Sequence, residues 1–191
     1  MRTSLMGADG SRKYLSETER ASFLKAAHKS KHRTFIFFVA YTGCRVSEAL
    51  RVRAKHFIDD GPGARSVILE TLKQRRTGVF RTVPIPDSLF DMIVRQHDLP
   101  SMDPKHRLWP RTRQWGWMAV KAVATKARIF SCAACPKGLR HSAATWAVNR
   151  DVPIAVIQRF LGHSNPANTQ IYANVNQSTL RRHFTWIDNN T

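Results

Sequence analysis

Two arginines, a histidine and a late tyrosine are spaced along this chain in a way that suits one reaction. Arg45 lies in Thr42-Gly43-Cys44-Arg45-Val46-Ser47-Glu48, and Arg140 in Leu139-Arg140-His141. His163 follows in Leu161-Gly162-His163, with Tyr172 nine residues further on. A phosphodiester under attack spreads negative charge over its non-bridging oxygens, and the planar guanidinium fork matches such oxygens bidentately. Arg45 and Arg140 therefore suit a clamp on one DNA phosphate. His163 suits a further hydrogen bond to it, or handling of a phenol proton. Tyr172 suits attack on phosphorus to give a covalent phosphotyrosine. That ester keeps the energy of the phosphodiester, so strands can be rejoined without ATP. The leaving 5′ oxygen needs a proton, which Lys73 in a basic hairpin can supply. Arginine and lysine carry the charge stabilisation, so the chemistry requires no metal or other cofactor.

Each residue alone has an ordinary reading: an arginine on a solvated helix face, a tyrosine at the edge of a core, Thr42-Gly43 as a helix stop. The joint order and spacing of the blocks carry the argument. Composition agrees with it. Lys and Arg number 31 against 13 acids in 191 residues, a formal net charge of +18. A domain this basic is built to meet a polyanion, and double-stranded DNA is the first candidate. The basic residues are spread along the chain, which favours a folded binding surface over a charged tail. The longest apolar run, Phe35 to Tyr41, is far too short to cross a bilayer, so no membrane partner is expected. No apolar stretch of signal-peptide type opens the chain, and the expected location is cytoplasmic, with the nucleoid. Of the three cysteines, Cys132 and Cys135 stand in C-x-x-C spacing. No second pair or His-x-x-x-His completes a zinc site, and no βαβ context supports a redox motif.

The elements that must position these residues form one domain, 14–191, after a mobile arm over 1–13. Ser16 followed by Glu19 is a capping-box pattern and starts the first helix. A second helix over 34–41 is apolar on nearly every face and belongs in the core; Gly43 ends it. Ser47 and Glu48 open a short helix. Residues 66–70 and 79–83 read as two β-strands around the basic tip Leu72-Lys73-Gln74-Arg75-Arg76-Thr77-Gly78, and Pro84 and Pro86 end the second strand. Helices follow over 87–97, 114–126, 139–149, 153–161 and 168–172, with a last amphipathic one over 175–187. The fold class is mainly α with a small antiparallel sheet.

These blocks closely resemble those of the tyrosine recombinases, the phage-integrase-type site-specific recombinases. The family's Thr-Gly-x-Arg-x-x-Glu box is matched at 42–48, its His-x-Leu-Arg-His box at Lys137-Gly138-Leu139-Arg140-His141, and its Leu-Gly-His box with a later tyrosine at 161–172. The resemblance covers about residues 14–187. It implies the catalytic-domain fold of the DNA breaking-rejoining enzymes and cleavage of one strand at a time through a 3′-phosphotyrosine. It makes Arg45 and Arg140 the phosphate-binding arginines, His163 the third-box histidine and Tyr172 the nucleophile. It places a general-acid lysine on the hairpin between strands two and three. Lys73 is the lysine there, although a register counted back from Pro84 puts Arg76 at that position. Arg75, Arg76, Arg111 and Arg113 are candidate DNA contacts.

Two departures follow. Lys137 stands where the family has a histidine; an ammonium donates to phosphate but does not accept a proton, so it supports charge stabilisation. His141 reads as a structural residue of the second box. Many relatives also carry an N-terminal helical domain, and the chain reads either as a minimal recombinase like the fimbrial-switch invertases or as the catalytic part of a larger protein. The final helix, 175–187, resembles the segment that docks on a neighbouring protomer, implying a tetramer on DNA; it can equally pack on its own domain. The alternative function is a DNA-binding regulator with this fold and little or no cleavage. A type IB topoisomerase shares the chemistry but fits the Leu-Gly-His box less well.

Overall fold

The computed structural model describes residues 4–72 and 78–173. Eight α-helices, one 3-10 helix and three strands lie in the described residues, in the order α1 (Glu17–His28), α2 (Arg33–Thr42), α3 (Val46–Ala49), the 3-10 helix (Ala54–His56), β1 (Phe57–Ile58), β2 (Ser66–Glu70), β3 (Phe80–Pro84), α4 (Asp87–His97), α5 (Arg113–Lys126), α6 (Pro136–Val148), α7 (Ile154–Leu161) and α8 (Ala167–Gln170). This is the mainly helical architecture with a small antiparallel sheet that the sequence pattern implies.

Helix α2 is the centre. Eight of its ten residues are buried, and it packs against α1, α4, α5 and α6. Its Phe35 and Phe38 meet Trp109 edge-on or tilted, with ring centroids 5.5 and 5.0 Å apart. Burying an aromatic side chain of this size contributes about 1.5–3 kcal/mol, so this cluster fixes the helix from which the first arginine box emerges. α1 begins as its sequence requires: the Ser16 side chain accepts from the Glu19 amide, and Glu19 accepts from the Ser16 amide. α2 ends at Gly43, whose φ of 57° is the left-handed cap an L-residue adopts only with strain. A side chain there would also press on Ala143 and Leu161, at 3.1 and 3.2 Å.

The sheet has the order β1-β2-β3, all antiparallel. β2 and β3 match the two expected strands; β1 is an addition, since two residues show no periodicity. In register, Val67 faces Val83 and Leu69 faces Arg81. Val67, Leu69 and Val83 are fully buried, so Arg81 shares the inward face. Residues 4–13, expected as an arm, lie against the domain. Met6 bridges Arg12, the Lys13 amide donates to the Leu5 carbonyl at 2.9 Å, and Leu5 is buried with Ala144, Ile157, Leu161 and Tyr172. The hairpin tip with Lys73, Arg75 and Arg76 and the helix expected over 175–187 fall outside the described residues.

Candidate active site

Arg45 sits where α2 gives way to α3, directly after the turn at Gly43 and Cys44. Glu48, one turn on, is buried and holds it twice. Its carboxylate accepts from Arg45 Nη1 at 2.6 Å and from the Arg45 amide at 3.1 Å. Oε2, the oxygen that takes the Arg45 amide, also accepts from Arg81 Nη2 at 2.7 Å. Arg81 Nε also donates to the Phe160 carbonyl at 3.0 Å, and its Nη1 to Thr71 Oγ1 at 2.8 Å. Burial alone would push the Glu48 carboxyl up. The charge and hydrogen bond of Arg81, and then the bonds from Arg45, outweigh it and hold the carboxyl below its ordinary value. The motif quoted Glu48 without a task, and Arg81 was missed altogether. Together they tie the first arginine to the sheet and to α7.

Helix α6 carries the second group. Cys135 is its N-cap, with Sγ accepting from the Gly138 amide, and Pro136 opens it, where the missing N–H leaves no helical bond unmade. Gly138 lies so close to the Ala133 carbonyl that a Cβ would fall 1.9 Å from its oxygen, so the start of α6 is pinned to the 131–135 turn. Lys137, Arg140 and His141 are spaced i, i+3, i+4 and share one helix face. Arg140 is 7% exposed. Its Nη1 donates to the Gly43 carbonyl at 2.8 Å and its Nη2 to the Leu161 carbonyl at 2.7 Å, joining all three boxes. Burial, then the neighbouring charge of Arg45, lowers its pKa to about 10, still a cation at neutral pH.

Gly162 caps α7 with φ 68°, and the chain turns there into His163. His163 Nδ1 bonds the buried Thr169 Oγ1 at 2.9 Å. Among the described residues Nε2 has no partner and is left for a ligand. Tyr172 follows α8 and is only 1% exposed. Its Oη lies 2.8 Å from His141 Nδ1. Burial raises the phenol to about 12.

Arg45, Lys137, Arg140, His141, His163 and Tyr172 therefore line one cleft of about 900 Å³, formed by segments far apart in sequence. Arg113, at the start of α5, also lines it. Arg111 is exposed on the approach to α5 and is not among the lining residues. Lys73, Arg75 and Arg76 lie outside the described residues. Cys44 lines the floor but is wholly buried, and burial raises its thiol to about 11, so it is inert.

Both site histidines are held near pKa about 4. For His141 the causes are burial, then Lys137, Arg140 and Lys13; for His163 they are burial, then Arg140 and Arg45. Unfolded histidine titrates near about 6.5. The unfolded chain thus binds protons that the folded one refuses, so stability is complete above about pH 6.5 and falls as the pH drops toward about 4. For the nearly buried His141 the loss is on the order of 2–3 kcal/mol; His163, more exposed, adds less. Urea midpoints measured from pH 7.5 down to 4.5 should fall across that window, and less so in His141→Asn. A midpoint that stays level would count against this arrangement.

The sequence model of the Phage integrase family matches residues 13–179. Tyrosine recombinase XerA of Pyrococcus furiosus is 31% identical over 182 residues, covering 88% of this chain and 59% of its own length. The chain thus spans about three fifths of that relative. The fold matches XerH site-specific recombinase bound to palindromic difH substrate, with TM-score 0.73 and 21% identity over 89% of this chain and 52% of that one. It also matches the catalytic domain of bacteriophage HP1 integrase, with TM-score 0.66 and 23% identity over 93% of this chain and 98% of that one. Among the described residues no helix is long and apolar enough to cross a membrane. With the three boxes gathered in one cleft and the family matched over most of the chain, the protein belongs to the phage integrase family, the tyrosine recombinases.

Proposed function

We propose that this chain is the catalytic domain of a site-specific DNA recombinase that cuts and rejoins strands through a 3′-phosphotyrosine at Tyr172. The observation that carries the reading is the convergence of Arg45, Arg140, His163 and Tyr172 on one cleft. Two guanidiniums anchored from behind, one by Glu48 and one by two carbonyls, present fixed positive charge where a phosphorane would form. Arg140 and Lys137 lie on the same helix face, so Lys137 adds a third cation from that side. His163 contributes Nε2 as a further donor to the phosphate. Lys73, on the hairpin, supplies the proton to the leaving 5′ oxygen. Arg75, Arg76, Arg111 and Arg113 hold the flanking backbone, an electrostatic grip that the +18 charge supports. The partner is double-stranded DNA, handled by a tetramer joined through the C-terminal segment, inside the cell at the nucleoid. The XerA and XerH relatives support the substrate class.

The test is covalent trapping. Wild type and Tyr172→Phe are incubated with nicked duplexes tiled across the DNA flanking the gene. Wild type should leave a denaturation-resistant adduct on the 3′ side of a break. Tyr172→Phe should bind the same duplex within about twofold and leave none, since the hydroxyl is the only group removed. Tight binding by both with no adduct from either would identify a DNA-binding regulator instead.

A further inference from the structure

The bond between Tyr172 and His141 has no part in the scheme above, and no motif assigns one. Tyr172 Oη lies 2.8 Å from Nδ1. The two side chains are 1% and 8% exposed, so bulk water does not compete for the hydroxyl. Among the described residues that hydroxyl has no other partner. His163, the other histidine of the cleft, has its Nδ1 engaged by Thr169. Lys137, on the same face of α6, is an ammonium with three donors and no lone pair to give. Among the described residues, His141 is the group that meets the phenol with an acceptor.

We propose that His141 is the proton acceptor for Tyr172, holding the phenolic hydrogen on Nδ1 and taking it as Oη bonds to phosphorus. The inference rests on Tyr172 being the nucleophile. The step balances. The Oη–H bond breaks and its proton passes to Nδ1, giving an imidazolium with hydrogen on both nitrogens. The Oη–P bond forms, the P–O5′ bond breaks, and the 5′ oxygen takes a separate proton from the general acid. The assignment needs the tautomer with hydrogen on Nε2, the one in which the phenol donates and the imidazole accepts.

The charges around His141 make the acceptor conditional. Among the described residues, Lys13 from the N-terminal segment, Lys137 and Arg140 from α6, and His163 and Tyr172 from the third box are the titratable groups facing it. Burial first, and then the three cations, keep the imidazole neutral, hence ready to accept, but weakly basic. A phosphodiester seated on Arg140 and Lys137 cancels part of that field and strengthens the base. The phenol is thus deprotonated only when a phosphate is in place to receive it.

The experiment compares single-turnover adduct formation on the nicked duplexes for wild type, Tyr172→Phe and His141→Asn, at pH 6.5–9 and below each melting temperature. Asparagine places an amide oxygen near the position of Nδ1, so it keeps the hydrogen bond and lacks the basicity. The expected result is a loss of about 10²–10⁴-fold at pH 7. The residual rate should climb about tenfold per pH unit, since hydroxide replaces the lost base, while wild type stays level above neutrality. Loss of the same factor at every pH, the mark of a structural role, or no loss, overturns the inference while leaving the nucleophile in place. No adduct from wild type on any duplex, or an adduct that survives Tyr172→Phe, overturns the nucleophile and the inference with it. A second measurement decides the assignment in wild type itself. In ¹⁵N-labelled wild type, His141 Nδ1 should carry the shift of an unprotonated acceptor, and this should move in Tyr172→Phe. A protonated Nδ1 in wild type overturns the assignment.

Discussion

Replacing Arg140 by lysine is expected to slow covalent capture of DNA by about 10²–10³-fold, although the net charge of the domain does not change. Arg140 has five N–H donors, and two of them are committed to the Gly43 and Leu161 carbonyls. Those bonds fix the plane of the guanidinium and leave its other edge for a phosphate. Lysine offers a single nitrogen at the end of a flexible stem. It cannot reach two carbonyls on opposite sides and still face the cleft. Either the carbonyls or the phosphate lose their donor, and the buried carbonyls lose about 1–3 kcal/mol each if left without one. Single-turnover adduct formation and thermal unfolding should both be recorded. The lysine variant should be slow even at saturating DNA, because the loss falls on the charge that develops in the transition state. A variant that captures DNA at the wild-type rate would show that charge alone suffices at this position.

The second large effect is on stability. Glu48→Ala should destabilise the domain by about 3–5 kcal/mol, because it leaves Arg81 buried without a counter-charge. For a domain of this size that corresponds to a fall in Tm on the order of 10 °C. Arg45, more exposed, loses its anchor but can turn to solvent. Glu48→Gln keeps one acceptor oxygen and the shape of the side chain, and should fall between wild type and alanine. The order wild type, glutamine, alanine in urea midpoint is the measurement; an alanine variant as stable as wild type would mean that Arg81 finds another partner. The double variant Glu48→Ala, Arg81→Met should recover part of the loss, since removing both charges avoids the unpaired one.

Local chemistry made much of the fold legible. The capping box of α1, the uniformly apolar α2, the glycine stop at 43 and the β-branched run of β2 are each decided within a few residues, and the structure follows them. The three boxes were legible because their glycines and arginines sit at fixed local spacing. What sequence pattern could not supply were the contacts between boxes. Arg81 reads as a polar residue in a half-exposed strand, yet it faces inward beside Leu69 while Phe80, the better apolar residue, is exposed. Its reason for doing so is Glu48, on a different element. His141 reads as a helix residue beside an arginine; only the return of the chain through α8 puts a phenol against it. Leu5 reads as part of a polar, glycine-containing leader, and is buried because Ala144, Ile157 and Leu161 leave an apolar surface there. Strand β1 is fixed by its partner and not by its own two residues. In each case the deciding neighbour is remote along the chain.

The two carbonyl bonds of Arg140 also bear on how such a protein is made. They connect residues 97 and 21 positions away along the chain. Contacts of such span form late, because a long loop must close before they repay its entropy. The guanidinium is aimed only when α2, α6 and α7 are all in place, and Tyr172 lies downstream of all three. A chain still emerging from the ribosome, or one clipped within α7, therefore carries the arginines as ordinary surface cations. It keeps their positive charge but has no aimed clamp for the proposed reaction. The strand cleavage proposed above thus depends on completion of the whole domain, and half-made copies carry its charge without its chemistry.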